Sequence, residues 1–326
     1  MSKAIVVHQT GGPDQMHWES VDVGEPGAGE ALVRHTVVGL NFIDVYFRTG
    51  LYPPPQLPFT PGMEAAGVVE AVGEGVEHVA SGDRVAYAAG PPGAYGERRI
   101  IAADRLVKIP EGISDETAAA MMLKGMTAWY LLRRTYAVRP GDTILIQAAA
   151  GGVGLIACQW AKHLGATVIG TVGSEQKAEL ARAHGCDHPV NYATEDFVER
   201  VRDITGGAGV PVVYDSVGQS TFLRSLDCLR PRGLLVVFGQ SSGPVEPFNV
   251  GQLAAKGSLF LTRPTLFHYV AAREELETAS AELFDLVRKD VVSIVVNHRF
   301  PLQQAAEAHR AMEGRQTSGS SVLTLS

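Results

Sequence analysis

Three glycines lie in a segment that could bind a phosphate group. They come after the β-branched, apolar run Thr143–Gln147 and lie at the start of a helical pattern, Val153–Leu164. The three are Gly151, Gly152 and Gly154. In a strand–turn–helix unit, the helix directs its free amides and the positive end of its dipole towards the turn. Glycines there allow a pyrophosphate to approach the backbone. The context favours a dinucleotide site over the alternative, a glycine turn that binds no ligand.

The end of the second strand in this unit indicates which dinucleotide binds. The strand Ala166–Val172 is followed by Gly173 and Ser174, without the acid that usually binds the ribose hydroxyls of NAD. Ser174 and Lys177 provide a hydroxyl and an ammonium, which suit a 2′-phosphate. Glu175 lies between them in sequence, but on a helical wheel it points in a different direction. NADP(H) is therefore favoured over NAD(H). In the alternative interpretation, Ser174 only caps a helix and Lys177 is only a solvated charge.

The composition limits the possible classes of protein. At 326 residues the chain is long enough for two domains, and 45% hydrophobic residues fit a compact α/β enzyme. A net charge of −7 gives no general attraction to nucleic acid or to an anionic membrane, so neither partner is expected. The three scattered cysteines do not form a disulfide framework. With no signal peptide and no membrane-spanning run apparent, a cytoplasmic location is expected.

Residues 4 to about 110 have the pattern of a β-rich region. Turn formers separate short apolar or alternating runs, which predicts a barrel or a partly open antiparallel sheet. A short helix and a loop are predicted for Asn41–Tyr52. The predicted strands are Ala4–His8, Ala31–Gly39, Gly67–Val72, Arg84–Ala88, Gly96–Ile101 and Leu106–Ile109.

From Ser114 onwards, helical patterns alternate with strand patterns. This alternation predicts a doubly wound parallel sheet, with the ligand beyond the carboxyl ends of its strands. The predicted helices are Ser114–Arg134, Val153–Leu164 and Thr221–Leu229, and the predicted strands are Thr143–Gln147, Ala166–Val172, Val210–Tyr214, Gly233–Gly239 and Leu259–Thr262. The tail is expected to return to the β-rich region, with a helix at Tyr269–Arg288, a strand at Ile294–Phe300, a helix through Met312 and a strand at Ser321–Leu325.

The glycine segment resembles the signature of quinone oxidoreductases in the medium-chain dehydrogenase/reductase superfamily. Further family landmarks at Pro61–Gly67, Gly82–Val85 and Val213–Gly218 extend the resemblance over essentially the whole chain. It implies a GroES-like β-rich catalytic domain from residues 1–121 and 265–326, and a Rossmann NADPH-binding domain from residues 122–264. It also implies a homodimer. The matching positions are Gly141, Asp142, Leu145, Ala149, Ala150, Gly151, Gly152, Gly154, Gln159 and Lys162.

The same resemblance bears on metal binding. In zinc alcohol dehydrogenases of the superfamily, a Cys and a His followed by Glu bind the catalytic zinc, and the corresponding positions here are about Leu40-Asn41 and Met63. No cysteine occurs before Cys158, although zinc sites need thiolate or imidazole ligands at suitable spacing. We therefore expect no metal. Without a Lewis acid, a simple alcohol dehydrogenase is disfavoured, and a quinone or an enone is the expected hydride acceptor.

The resemblance also implies roles for individual residues. Asn41 and Thr127 are expected near the nicotinamide, and Tyr46 and Tyr52 near the acceptor, so these four form the predicted catalytic set. The tyrosines could instead be core residues with one satisfied hydroxyl. The predicted cofactor-binding residues are Asn41, Thr127, Gly151, Gly152, Val153, Gly154, Gly173, Ser174, Lys177, Tyr192, Val217, Phe238, Ser241, Arg263 and Arg315. The two arginines could instead be solvated charges.

Three functional hypotheses follow. The first is a zinc-independent NADPH:quinone oxidoreductase, which transfers hydride to the acceptor in a dry pocket. The second is an NADPH-dependent reductase of 2-alkenals or enones. The third is a non-catalytic NADPH-binding protein, as some crystallin relatives are.

Overall fold

The computed structural model describes residues 2–325, which form two compact units. The first consists of the described residues of Met1–Met126, Tyr269–Arg288 and Ile294–Ser326, and the second of Thr127–His268 and Lys289–Ser293. Each unit has its own sheet and its own hydrophobic core. The domain boundaries predicted after residues 121 and 264 stay a prediction. In the described chain, no helix is both long enough and apolar enough to cross a membrane.

Strands and α-helices both occur along most of the described chain. The strands are β1 (Ser2–Val7), β2 (Met16–Val21), β3 (Glu30–Leu40), β4 (Glu64–Val72), β5 (Arg84–Ala88), β6 (Arg98–Ala102), β7 (Val107–Lys108), β8 (Thr143–Ile146), β9 (Thr167–Val172), β10 (His188–Asn191), β11 (Val210–Asp215), β12 (Leu229–Val237), β13 (Phe260–Thr262), β14 (Val296–Pro301) and β15 (Ser320–Thr324). The α-helices are α1 (Phe42–Thr49), α2 (Asp115–Tyr130), α3 (Gly152–His163), α4 (Glu175–Ala183), α5 (Phe197–Ile204), α6 (Phe222–Leu226), α7 (Gly251–Ala255), α8 (Leu266–Tyr269), α9 (Arg273–Arg288) and α10 (Ala305–Glu313).

The first unit is built on a seven-stranded sheet. Its strands run in the order β14-β15-β3-β4-β5-β7. Strand β6 pairs with the first half of β3, residues 30–34. The pairs are antiparallel except for β14 and β15, which are parallel. Strands β1 and β2 form a separate antiparallel ribbon. Because β15 pairs with β3, the C-terminal tail completes a sheet that begins near residue 30.

The second unit is a parallel sheet, as predicted, and it has six strands because β10, which was not predicted, pairs with β9. Its order, β10-β9-β8-β11-β12-β13, corresponds to the arrangement 3-2-1-4-5-6 of a doubly wound dinucleotide-binding fold. Every residue of β11 is buried, as expected for a strand covered on both faces. The order of the strands reverses at β8, so the carboxyl end of β8 is the switch point at which such sheets bind ligands.

The structure differs from the predictions locally, and β10 and α5 are among the elements that were not predicted. Strand β2 was not predicted, because His17, Glu19 and Ser20 interrupt its apolar pattern. The predicted helix Thr221–Leu229 is wrong at its end, since α6 stops at Leu226 and Leu229 already pairs with β11. The predicted helix Tyr269–Arg288 is confirmed as α9, although it begins at Arg273, and Tyr269 instead ends the separate short helix α8. Helix α2 does begin where predicted, with the Ser114 hydroxyl accepting a hydrogen bond from the amide of Thr117 (3.0 Å).

Candidate active site

The predicted glycine turn lies between β8 and α3 in the second unit. Gly151 precedes the helix with extended backbone, and its carbonyl accepts the first intrahelical hydrogen bond from the amide of Leu155 (2.9 Å). The amides of Gly152, Val153 and Gly154 therefore belong to the first turn, where an α-helix has no acceptors for its own N–H groups. These amides and the helix dipole together suit an anionic phosphate.

A close contact explains why residue 154 is glycine. A Cβ atom at Gly154 would lie 2.4 Å from the carbonyl oxygen of Ala148 and 2.6 Å from that of Ala149. Both oxygens belong to the backbone, so neither could move without displacing the turn. Ala148 adopts a positive φ of 56°, and its amide donates to the Thr171 hydroxyl on β9 (3.2 Å). The first turn of α3 therefore packs directly on the end of β8, as close approach of a phosphate requires.

The end of β9 gathers the residues predicted for the 2′-phosphate. Ser174 is the N-cap of α4, and its hydroxyl accepts a hydrogen bond from the amide of Lys177 in the first helical turn (3.3 Å). A Cβ atom at Gly173 would lie 2.5 Å from the Tyr192 hydroxyl, which therefore lies against the backbone of the strand end. Tyr192 is 49% exposed, and the amide of Tyr192 donates to the carbonyl of Val172 (3.0 Å). Capping by Ser174 is thus confirmed, while binding by Ser174, Lys177 and Tyr192 stays a prediction.

A buried carboxylate fixes the loop after β11. Asp215 is fully buried, and its Oδ1 accepts hydrogen bonds from the amides of Val217 (2.8 Å) and Gly218 (3.0 Å). Its Oδ2 accepts hydrogen bonds from the hydroxyls of Thr221 (2.7 Å) and Ser225 (2.9 Å). Four donors therefore stabilise this anion in the interior. The predicted cofactor residue Val217 is held at the end of the sheet by this carboxylate.

The loop after β12 is joined to the same place. The amide of Phe238 donates to the carbonyl of Asp215 (2.8 Å), and the amide of Ser241 donates to the carbonyl of Ser216 (3.2 Å). The structure therefore brings the predicted residues Val217, Phe238 and Ser241 together at one edge of the sheet.

Gln147, which was not predicted as a site residue, links the ends of three neighbouring strands. Its side chain is buried, with Nε2 donating to the Ser225 hydroxyl (3.1 Å) and Oε1 accepting from the Thr171 hydroxyl (2.5 Å). Since Ser225 also donates to Asp215, a continuous polar network crosses the carboxyl ends of β9, β8 and β11. The network orients the loops that would surround a dinucleotide.

The remaining predicted cofactor residues lie in separate elements. Thr127 is buried in α2, and Arg263 follows β13 and donates to the carbonyl of Pro264 (3.3 Å). Arg315 follows α10 in the first unit and adopts a positive φ of 57°. Their contact with a cofactor stays a prediction.

In the first unit, Asn41 lies between β3 and α1 and contacts two buried carboxyl groups. Its Nδ2 donates to Glu64 Oε2 (2.8 Å), and its amide donates to Asp44 Oδ2 (2.9 Å). Both carboxyl groups are 0% exposed, and Asn41 itself is 6% exposed. Its side chain is therefore held in one orientation, as a residue that positions a ligand requires.

Glu64 joins Asn41 to a buried lysine. Its Oε2 accepts a hydrogen bond from Lys124 Nζ (3.1 Å), and its Oε1 accepts one from the amide of Leu123 (2.7 Å). Neither Glu64 nor Lys124 was predicted as a site residue. Lys124 is the one charged residue in the apolar stretch 117–132. This isolated charge is the local sequence signal of the contact between Lys124 and Glu64.

Asp44 occupies an environment that favours its neutral form. Burial raises the pKa of Asp44 from its ordinary value of 3.8 to about 7, although hydrogen bonds from the Asn41 amide and from the Tyr95 hydroxyl (3.0 Å) oppose the shift. Within residues 2–325, Asp44 Oδ1 has no hydrogen-bond partner. The Tyr95 hydroxyl also lies 3.0 Å from His309 Nε2, and burial lowers the pKa of His309 to about 3.

The two predicted acceptor tyrosines lie together beside α1. The rings of Tyr46 and Tyr52 meet edge to face with centroids 5.1 Å apart, and the amide of Tyr52 donates to the carbonyl of Tyr46 (3.0 Å). Phe42 and Phe47 extend the cluster at centroid distances of 6.3 and 5.9 Å. Tyr46 is buried and Tyr52 is partly exposed, and the roles of the tyrosines at an acceptor stay a prediction.

The side chains placed in this structure form no recognisable metal site. Among residues 2–325, no group of three His, Cys, Asp or Glu side chains could hold a metal ion. Met63, at the position that resembles a zinc ligand, is a buried apolar residue. The expectation that the protein binds no metal stays a prediction.

Comparison with known proteins gives a consistent assignment. The alcohol dehydrogenase GroES-like domain family matches residues 27–111, and the zinc-binding dehydrogenase family matches residues 152–285. A quinone oxidoreductase of Pseudomonas aeruginosa is 52% identical over 323 residues, and a 2-haloacrylate reductase of a Burkholderia species is 51% identical over 329 residues. In both cases, 99% of each chain is covered. The crystal structure of an Escherichia coli quinone oxidoreductase complexed with NADPH superimposes with a TM-score of 0.97 at 51% identity, over 99% of each chain.

The parallel sheet with its glycine turn and the GroES-like region define a medium-chain dehydrogenase/reductase. Within that superfamily, the chain belongs to the quinone oxidoreductase family. The predicted family and fold class are therefore confirmed.

Replacing Lys177 tests the proposed phosphate site. In Lys177→Ala, we expect the preference for NADPH over NADH to fall about tenfold to a hundredfold, because a hydrogen bond to a charged group contributes about 1.5–3 kcal/mol. Titration of nicotinamide fluorescence with both nucleotides measures this preference. The control, Lys162→Ala, removes the same charge from the last turn of α3, where Lys162 pairs with Asp187, and should leave the preference unchanged. An unaltered preference in Lys177→Ala would remove this residue from the phosphate site.

Replacing Asp44 tests its neutral state. A carboxyl group whose pKa is raised on folding contributes stability that is fully present below pH 3.8 and is lost as the pH rises towards 7. We therefore expect Asp44→Asn to gain stability relative to the unmodified chain as the pH rises from 5 to 7, by at most about 1.4 kcal/mol for each pH unit. Urea unfolding at pH 5, 6, 7 and 8 measures the difference. The control is Asp14→Asn, since the Asp14 side chain is 85% exposed. A difference that is independent of pH would show that Asp44 is ionised throughout.

Proposed function

We propose that this chain is a zinc-independent NADPH:quinone oxidoreductase. The observation that carries the proposal is the cofactor side of the second unit, where glycine amides begin α3 and where Ser174 and Lys177 take the place of an acid after β9. The identity of 52% to a quinone oxidoreductase over the full chain supports the choice of acceptor. The E. coli relative that was crystallised with NADPH supports the choice of cofactor.

In this proposal, the protein binds and orients the nucleotide and the acceptor and excludes water from them. The bound nucleotide supplies a hydride. The amides of Gly152, Val153 and Gly154 hold the pyrophosphate, and Ser174 and Lys177 hold the 2′-phosphate. Asn41 and Thr127 orient the nicotinamide ring. The aromatic cluster that contains Tyr46 and Tyr52 takes a planar acceptor against its surface. A quinone accepts a hydride readily because the resulting anion is delocalised.

A second candidate function is the reduction of an activated carbon–carbon double bond. It is favoured by the 51% identity to a 2-haloacrylate reductase, which also covers 99% of both chains. Enones, 2-alkenals and 2-haloacrylates share with quinones a conjugated, electron-poor system that accepts a hydride and stabilises the resulting anion. The cofactor site would be the same, and the residues around the acceptor would decide between the two substrate classes.

We also propose that the chain forms a homodimer through β13. This strand is the edge of the parallel sheet, and Phe260 and Leu261 on it are 60% and 38% exposed. An exposed apolar edge strand is a template for pairing with a second copy. A cytoplasmic location is proposed on the evidence of three buried cysteines that are free thiols.

The acceptor assay separates the functional candidates. Purified protein should oxidise NADPH in the presence of 1,2-naphthoquinone with a higher kcat/KM than with a 2-alkenal or 2-chloroacrylate, as followed by the absorbance of reduced nicotinamide. The reverse order would establish the double-bond reductase. NADPH binding without turnover of any of the three acceptors would contradict both enzymatic proposals and indicate a non-catalytic NADPH-binding protein.

The dimer is tested by light scattering on dilute protein. We expect the mass of two chains for the unmodified protein and of one chain for Phe260→Lys, because a charge on an edge strand opposes pairing. The control is Val250→Lys, which charges another exposed apolar residue, 72% accessible and outside β13. A monomeric unmodified protein would refute the proposal.

A further inference from the structure

We propose that Lys124 is a catalytic residue whose ammonium donates a hydrogen bond to the acceptor oxygen that becomes negatively charged during reduction. The proposal rests on the proposed reductase function and adds to it the group that stabilises the product anion. It starts from a buried cation that the family resemblance and the comparisons leave without a role.

Lys124 is a buried charge with unused hydrogen-bonding capacity. The residue is 5% exposed, and its Nζ donates to Glu64 Oε2 at 3.1 Å. An ammonium group has three N–H donors, and in the described part of the chain Glu64 is the one acceptor that it contacts. Two donors of this buried ammonium are thus left for other acceptors, and hydrogen bonds to a charged group are strong in the interior.

Glu64 determines where this ammonium lies. Its carboxylate accepts three hydrogen bonds, from the Leu123 amide (2.7 Å), Asn41 Nδ2 (2.8 Å) and Lys124 Nζ (3.1 Å). Asn41 Nδ2 and Lys124 Nζ donate to the same oxygen, Oε2, so both nitrogen atoms lie within hydrogen-bond distance of one atom. The site also requires Gly39 on β3, because a Cβ atom there would lie 2.4 Å from Glu64 Oε2.

This position assigns Lys124 to the acceptor. Asn41 is the residue proposed to orient the nicotinamide, and the role proposed for Lys124 rests on that assignment. The other buried cations of the first unit are engaged elsewhere. Arg48 makes a bidentate pair with Glu313 (2.9 and 2.7 Å), and Arg99 donates to the Tyr87 hydroxyl (3.4 Å) and to the Pro91 carbonyl (3.0 Å).

The chemical step balances without a further reactant. The acceptor gains a hydride with its electron pair and is reduced to an anion, while the nicotinamide is oxidised. Lys124 donates a hydrogen bond to the anionic oxygen and keeps its own proton. A proton from water then neutralises the product. A donor fixed in advance and excluded from water is worth more to such an anion than a donor in solution.

The test compares Lys124→Met with the unmodified protein. Methionine keeps an unbranched apolar chain and removes the charge, so we expect kcat with a quinone to fall about 10²- to 10³-fold, as when one donor to a developing oxyanion is removed. The dissociation constant for NADPH should stay within about threefold, because the proposed phosphate contacts lie in the second unit and do not involve Lys124. The matched control is Lys108→Met, which removes an exposed ammonium paired with Asp83 at 2.8 Å and should leave kcat unchanged.

A double variant separates catalysis from structure. Lys124→Met leaves Glu64 buried with one donor fewer, whereas Glu64→Gln combined with Lys124→Met leaves no uncompensated charge. If Lys124 serves only to neutralise Glu64, the double variant recovers the kcat of the unmodified protein, and the proposal is overturned. If Lys124 stabilises the anion, the double variant stays as slow as Lys124→Met. Full activity of Lys124→Met itself would also overturn the proposal.

Failure of the proposed function gives a different result, because the unmodified protein would then not turn over any acceptor. Failure of the Lys124 proposal requires an active unmodified protein, together with full activity of either Lys124→Met or the double variant. The choice of acceptor provides a further test. The loss in Lys124→Met should be greater for a 2-alkenal than for 1,2-naphthoquinone, because the anion of the quinone is more delocalised and needs less stabilisation.

Discussion

The second unit depends on the close approach of α3 to the end of β8. A side chain at Gly154 would occupy the space of two backbone carbonyl oxygens, at 2.4 and 2.6 Å, so only glycine allows the helix to begin so near the strand. Because the helix begins there, its free amides lie at the switch point of the sheet. The other strand ends are organised around the same place. Thr171, Gln147 and Asp215 form a buried polar network that ties the loops after β9 and β11 to the glycine turn.

The first unit is organised around two buried carboxyl groups with different hydrogen-bond partners. Glu64 accepts hydrogen bonds from an ammonium, a side-chain amide and a backbone amide, which stabilise its charge in the interior. Asp44 accepts only an amide and a hydroxyl, and its pKa is raised to about 7. Asn41 contacts both groups. A carboxyl group with a raised pKa and a buried ion pair thus both contact the residue of this unit that the family resemblance places near the nicotinamide.

Much of the second unit could be predicted from the sequence, because local patterns determine it. Strands buried on both faces give continuous apolar runs such as Val210–Tyr214, and the turn requires glycine at a fixed distance from a strand. The group around Glu64 could not be predicted in the same way. It joins residues 41, 64 and 124, whose proximity depends on the pairing of β3 with β4 and on the packing of α2. Lys124, as a solitary charge among apolar residues, was the one local signal. Strand β2 was missed for a related reason, since polar residues interrupt its pattern and only pairing with β1 fixes it.

The central claim is that the second unit binds a nicotinamide dinucleotide with a 2′-phosphate. Calorimetric titration of the unmodified protein with NADPH and with NADH tests this most directly. The structure predicts that both bind and that NADPH binds at least about tenfold more tightly, since the extra phosphate meets a hydroxyl and an ammonium in place of an acid. Equal or tighter binding of NADH would contradict the assignment of the phosphate site, and the absence of binding by either would contradict the assignment of the glycine turn.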